Sequence, residues 1–153
     1  MDAMSAISNN AVNLGKVHPE VYQAMIQFNQ QADSAFKASG LDPLIAELIK
    51  IRVSQLNGCA FCLRMHQRDA IKLGESMDRL AVVAAWWESQ YFSEVEQAAL
   101  ALAEEITQLP VPQHKSWNTG VLSDEQVSAI SWLAIVMNGW NRIAIQSHYP
   151  VAP

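Results

Sequence analysis

The sequence predicts an all-α domain of about six to seven helices, and three observations support it. Apolar residues recur at three- and four-residue intervals along most of the chain. No run alternates polar and apolar residues between hairpin turns. Proline, glycine and short hydroxyl or carboxylate side chains fall where helices would start and stop. With 153 residues, 50% of them hydrophobic, the chain can form one domain with a single core. That domain is expected over residues 19–150, preceded by a weakly structured segment, 1–18.

The first helix is expected over about 19–39. Pro19 suits a first turn, Val21, Met25, Phe28, Ala32 and Phe36 share one face, and Gly40 ends it. Asp42 then caps a second helix opened by Pro43, with Leu44, Leu48, Ile51 and Leu56 near one stripe. Asn57 and Gly58 break it. A third runs from about Cys59 through Leu73 to a left-handed stop at Gly74. Ser76 caps a fourth, over about 77–90, where Leu80, Val83, Ala84, Trp86 and Trp87 are numerous enough to be buried on more than one side, against another subunit if need be. Ser93 with Glu96, and Ser123 with Gln126, have capping-box spacing and open two more helices. Between these, Pro110 and Pro112 make the stretch up to about Leu122 a loop.

Charge and hydropathy narrow the partners. A net charge of -5 leaves no basic patch for nucleic acid or an anionic membrane surface. The longest apolar stretches, 80–87 and 130–137, are far shorter than the roughly 20 residues a bilayer span needs. The first 18 residues contain Lys16 as their one full positive side chain and no continuous apolar run, so no secretory signal is expected and the cytoplasm is the expected location. The 2 cysteines stand three positions apart, too close to staple distant parts of a fold, which directs attention to their redox state.

Chemistry concentrates in Asn57-Gly58-Cys59-Ala60-Phe61-Cys62-Leu63-Arg64-Met65-His66. Two thiols and an imidazole at i, i+3 and i+7 share one face of a helix. Unpaired amides at the helix start favour negative charge on Cys59, and His66 lies one turn beyond Cys62, placed to take a proton from it. A thiol oxidised to sulfenic acid by a peroxide can condense with the second to a disulfide, which an external dithiol must then reduce. Glu47 lies among Leu44, Ile45, Leu48 and Ile49. Burial there would raise its pKa, whereas pairing with Lys50 or Arg52 on a solvated face would make it a plain surface charge.

Glu47, Cys59-X-X-Cys62, His66, Ala70 and Gly74, in this order and spacing, resemble the AhpD-like alkylhydroperoxidase and carboxymuconolactone decarboxylase superfamily. The resemblance spans residues 21–145 and includes Ser39-Gly40-Leu41-Asp42-Pro43 and Asn138-Gly139-Trp140-Asn141-Arg142. It implies an all-helical oligomer, often hexameric, that needs no bound cofactor. In it a glutamate, a histidine and water relay a proton from the second cysteine so that this cysteine attacks a hydroperoxide. Glu47, His66 and Cys62 match those positions, with Cys59 as the other half of the redox pair. The decarboxylase branch typically lacks the cysteine pair, so its presence here favours redox chemistry. Phe61 stands where the best-understood peroxidases of the group can carry a second histidine.

Competing readings attach to the same residues. The thiols could be small core residues, or could join His66 and Glu47 around zinc, although three ligands from one helix make a tetrahedron awkward. A thioredoxin-type fold lacks its strands. Non-redox lactone chemistry by Glu47 and His66, or an oligomeric redox-sensing module, are the functional alternatives. Asn138, Asn141 and Arg142 either bond carbonyls across a subunit contact or form a polar stripe. Trp86, Trp87, Trp132 and Trp140 read as core and interface anchors, and His18, His114 and His148 are assigned no role.

Overall fold

The computed structural model describes residues 11–109 and 120–153, and among these described residues there are seven α-helices and no strand. The helices are α1 (Leu14–Val17), α2 (Pro19–Ala38), α3 (Pro43–Asn57), α4 (Ala60–Lys72), α5 (Met77–Val82), α6 (Glu94–Gln108) and α7 (Asp124–Gln146). Their starts follow the side chains that can satisfy orphan amides. The Asp42 carboxylate accepts from the Leu44 amide at 2.8 Å, Ser76 caps α5, and Ser93 and Ser123 form complete capping boxes with Glu96 and Gln126.

α3 is the centre of the fold and packs against α4, α6 and α7. The sequence suggested one apolar stripe. Instead Ile45, Leu48, Ile49, Ile51 and Val53 are all buried, so the helix is enclosed almost all round. Ile49 and Val53 join Ala98, Ala99, Ile130, Leu133 and Ala134 of α6 and α7 in one apolar cluster, and Leu48 and Ile51 join Leu80, Val83, Trp86 and Leu100 in a second. Small alanines on α6 let these helices approach closely.

The expected fourth helix over 77–90 does not form as one unit. α5 stops at Val82, a 3-10 segment covers Val83–Glu88, and Ala85 leaves helical geometry with φ −133° and ψ 38°. The reason is the pair of tryptophans. Trp86 is buried with its indole N–H donating to Glu104 Oε1 at 2.8 Å, while Trp87 is 51% exposed and lies beneath the Arg52 guanidinium. The kink turns one ring inward and leaves its neighbour outside.

In the segment expected to be weakly structured, Leu14–Val17 form a helical turn capped by Asn13, and the Leu14 amide donates to Ser147 Oγ at 3.1 Å. Most of the expected proline loop, residues 110–119, and residues 1–10 lie outside the described residues.

The pair formed by Arg52 and Glu104, 2.7 Å apart with both side chains buried, yields a stability prediction. Glu104→Ala removes the carboxylate to which Arg52 Nε and the Trp86 indole N–H both donate and should lower the unfolding free energy by about 3 to 5 kcal/mol in urea titrations. Glu104→Gln, which keeps an acceptor oxygen, should cost distinctly less.

Candidate functional site

The site is built at the tight reversal between α3 and α4. Gly58, at φ 68° and ψ 33°, takes the left-handed conformation that ends α3, where a side chain would be strained. Cys59 follows as the N-cap of α4, its Sγ accepting weakly from the Cys62 amide at 3.4 Å. The reversal folds α4 back on α3, so that residues well before and after the turn meet.

Glu47 and His66 are the residues it brings together. His66 Nδ1 lies 3.0 Å from Glu47 Oε2, and each residue is only 8% exposed. Lys50 Nζ stands 3.5 Å from Glu47 Oε1, and Asp69 Oδ2 is at 4.0 Å from His66 Nδ1. Burial pushes the Glu47 carboxyl up, but His66 and Lys50 together outweigh it and hold the carboxyl below its ordinary value. An ionised carboxylate can only accept, so Nδ1 carries the proton of this hydrogen bond. With Nδ1 as the donor, Nε2 is the ring nitrogen left to accept a proton. Of the two pairings expected on a solvated face, Glu47 makes the one with Lys50, but in a largely buried setting, and Arg52 pairs instead with Glu104.

Both thiols are free and buried, but they differ in access. Cys62 lines a cavity of about 420 Å³ together with His66, whereas Cys59 is not among its lining residues. The cavity is walled mainly by apolar and aromatic groups, Ile26, Phe61, Met65, Leu133 and Trp140 among them, with Lys50 and Asn29 as polar contributions. Burial and the neighbouring Cys59 thiol push the Cys62 thiol up to about 12, against a smaller downward pull from the Asn141 amide. Without a base, this sulfur stays protonated at neutral pH.

Asn141 is the polar residue whose place sequence reasoning left undecided. It is fully buried, donates to Ser54 Oγ at 3.0 Å and accepts from Asn57 Nδ2 at 3.0 Å. Asn138 Oδ1 accepts from the same Asn57 amide at 2.9 Å. These bonds are within the chain and hold α7 against the end of α3, beside the dithiol. A carboxamide in an apolar helix was the available signal. Tyr22 and Tyr149, also on the cavity wall, carried no such signal, because they come from opposite ends of the chain. Trp140 is on this wall too, its indole N–H donating to Asn29 Oδ1 at 3.0 Å. Among the described residues, the metal-type donors that converge are Glu47, His66 and Asp69, their ligating atoms within 4.8 Å of one another. Neither cysteine belongs to that group, unlike the zinc set considered from sequence.

Fold and site together define a helical protein with a buried dithiol next to a carboxylate–imidazole pair. The model of the carboxymuconolactone decarboxylase family matches residues 19–105, and the chain belongs to that family. It is 38% identical over 139 residues to the uncharacterized protein YdfG of Bacillus subtilis (strain 168), spanning 88% of this chain and 91% of that one. It is 29% identical over 101 residues to the uncharacterized protein YnjA of Escherichia coli (strain K12), spanning 66% of this chain and 56% of that one. A crystal structure of an Agrobacterium tumefaciens protein of unknown function, suggested there to be the antioxidant defence protein AhpD, superposes with a TM-score of 0.80. It shares 30% sequence identity and covers 93% of this chain and 99% of its own. Among the described residues no helix is long and apolar enough to cross a membrane.

The raised Cys62 thiol sets a pH dependence of stability. The unfolded thiol ionises near 9.0 and the folded one at about 12, so the folded state favours the protonated form. Its stabilising contribution is complete below the unfolded value and is lost as pH rises toward the folded one. Urea titrations at about pH 7 and about pH 10.5 should therefore show a fall in stability at the higher pH that is smaller in Cys62→Ala.

Proposed function

We propose that the protein is a thiol-dependent hydroperoxidase in which Cys62 attacks the peroxide and Cys59 resolves the product. The observation that supports it most directly is that Cys62, and not Cys59, opens onto the same apolar cavity as the Glu47-bonded His66. A thiol held protonated by burial needs a base, and Glu47 orients and charge-stabilises the imidazole that serves as one. The Cys62 proton passes to His66, directly or through a water. The sulfur attacks the outer peroxide oxygen, an S–O bond forms as the O–O bond breaks, and the alcohol departs. The Cys59 thiol then displaces water from the Cys62 sulfenic acid to give the disulfide, and an external dithiol or disulfide-reductase partner restores both thiols by exchange.

Phe61 occupies the position of a second histidine, so the relay in this chain rests on His66 alone. The apolar cavity favours organic hydroperoxides over hydrogen peroxide, since the former's alkyl groups gain from desolvation there. A homo-oligomer is part of this reading, supported by the family and by the half-exposed Trp132 and Ile135 on α7. Exchange with dithiols fits the cytoplasmic location expected from sequence.

Thiol counting during stopped-flow mixing with an organic hydroperoxide tests the reading. The wild type should consume two thiols per peroxide, and Cys62→Ser should be slower by about 10³-fold or more. Cys59→Ser should still react once and stop at a sulfenic acid that dimedone traps. His66→Ala should be slower by about 10² to 10³-fold. A Cys62→Ser variant as fast as wild type would refute the mechanism. Lactone turnover surviving replacement of both cysteines would favour non-redox acid–base chemistry by Glu47 and His66.

A further inference from the structure

Attack of the Cys62 sulfur on a hydroperoxide also requires a proton donor on the departing side. Breaking the O–O bond of an alkyl hydroperoxide expels an alkoxide, a far poorer leaving group than its alcohol, so a proton has to reach the departing oxygen within an apolar cavity. His66, which takes the proton from Cys62, cannot at the same moment act as acid on the far side of the reacting atoms.

We propose that the Tyr149 hydroxyl, with Tyr22 beside it, is the proton donor to the departing peroxide oxygen. Both side chains line the cavity that holds Cys62 and His66. The Tyr149 ring meets Phe61 edge-on at 5.0 Å, next to Cys62 in sequence, and Tyr22 is braced at 5.5 Å against Trp140. Tyr149 is held by a built structure and not by a loose tail. His148 turns the chain at φ 51°, the Tyr149 amide closes on Ala144 O at 3.0 Å, and Arg64 of α4 donates to Ala152 O at 2.7 Å. The end of the chain is thereby folded over the thiol helix. Burial, the Tyr22 hydroxyl and the nearby Cys62 all push the Tyr149 hydroxyl up, so it is a phenol and a donor at neutral pH.

This assignment rests on the hydroperoxidase reading and completes its balance. The Cys62 proton goes to His66, sulfur bonds to the outer oxygen, the O–O bond breaks, and Tyr149 gives its proton to the departing oxygen. The proton held by His66 then restores the phenol. The net change is Cys62 thiol plus hydroperoxide to Cys62 sulfenic acid plus alcohol, with no proton gained or lost.

A proton donor to the leaving group matters in proportion to how poor that leaving group is. Second-order rate constants for reduced wild type, Tyr149→Phe and Tyr22→Phe should be measured in stopped flow with tert-butyl hydroperoxide, which expels an alkoxide, and with peracetic acid, which expels a carboxylate needing no proton. Tyr149→Phe should be slower by about 10²-fold with the hydroperoxide and within about 3-fold of wild type with the peracid. Tyr22→Phe should show the same selectivity with a smaller loss. Equal losses with both oxidants, as from a disturbed cavity, or no loss with either, would overturn the assignment while leaving the hydroperoxidase reading intact. A wild type inert to both oxidants would overturn both.

Discussion

A carboxylate and an imidazole taken out of water together must satisfy each other, and the contact of Glu47 with His66 imposes that condition on the rest of the molecule. It fixes how α4 folds back on α3, because 3.0 Å between these two groups tolerates little sliding of one helix along the other. It fixes the imidazole tautomer. It also sets the orientation of the helix face on which Cys62 lies one turn away, so on the proposed mechanism the reversal at Gly58 and the proton relay depend on the same hydrogen bond.

α3 repeats this device around its circumference. Its buried polar residues are matched one to a neighbour: Glu47 to His66 of α4, Arg52 to Glu104 of α6, and Ser54 to Asn141 of α7. Apolar packing alone would tolerate several registers among these helices, since leucines, isoleucines and alanines are interchangeable in shape to within a modest cost. Three directional bonds, each costly to leave unmade in the interior, select one arrangement. Among the described residues no buried side-chain nitrogen or oxygen is left without a partner.

The same enclosure that makes these bonds strong works against the thiolate. Burial raises the Cys62 thiol to about 12, and a surface thiol would ionise more readily. The Asn141 amide pulls the other way, and on the proposed mechanism the imidazole, backed by an anionic carboxylate, removes the proton. A reactive sulfur that is formed only when a base acts on it is protected from adventitious oxidation between encounters.

The sequence by itself determined the helical class and most helix boundaries, because capping side chains, prolines and left-handed glycines act within a few residues of the backbone groups they serve. Asp42, Ser76, Ser93 and Ser123 could be read this way, as could Gly58 and Gly74. The Cys59, Cys62 and His66 spacing was legible for the same reason. The break at Ala85 was not, since it answers to Glu104, 19 positions away by number. Whether Glu47 is solvated or buried was settled by α4 and α6, which supply His66 on one side and draw Arg52 away on the other. The cavity is the most tertiary feature of all. Its walls come from α2, α3, α4, α7 and the chain beyond α7, and side chains so far apart in sequence share no local pattern, so only packing could place Tyr22 and Tyr149 beside Cys62.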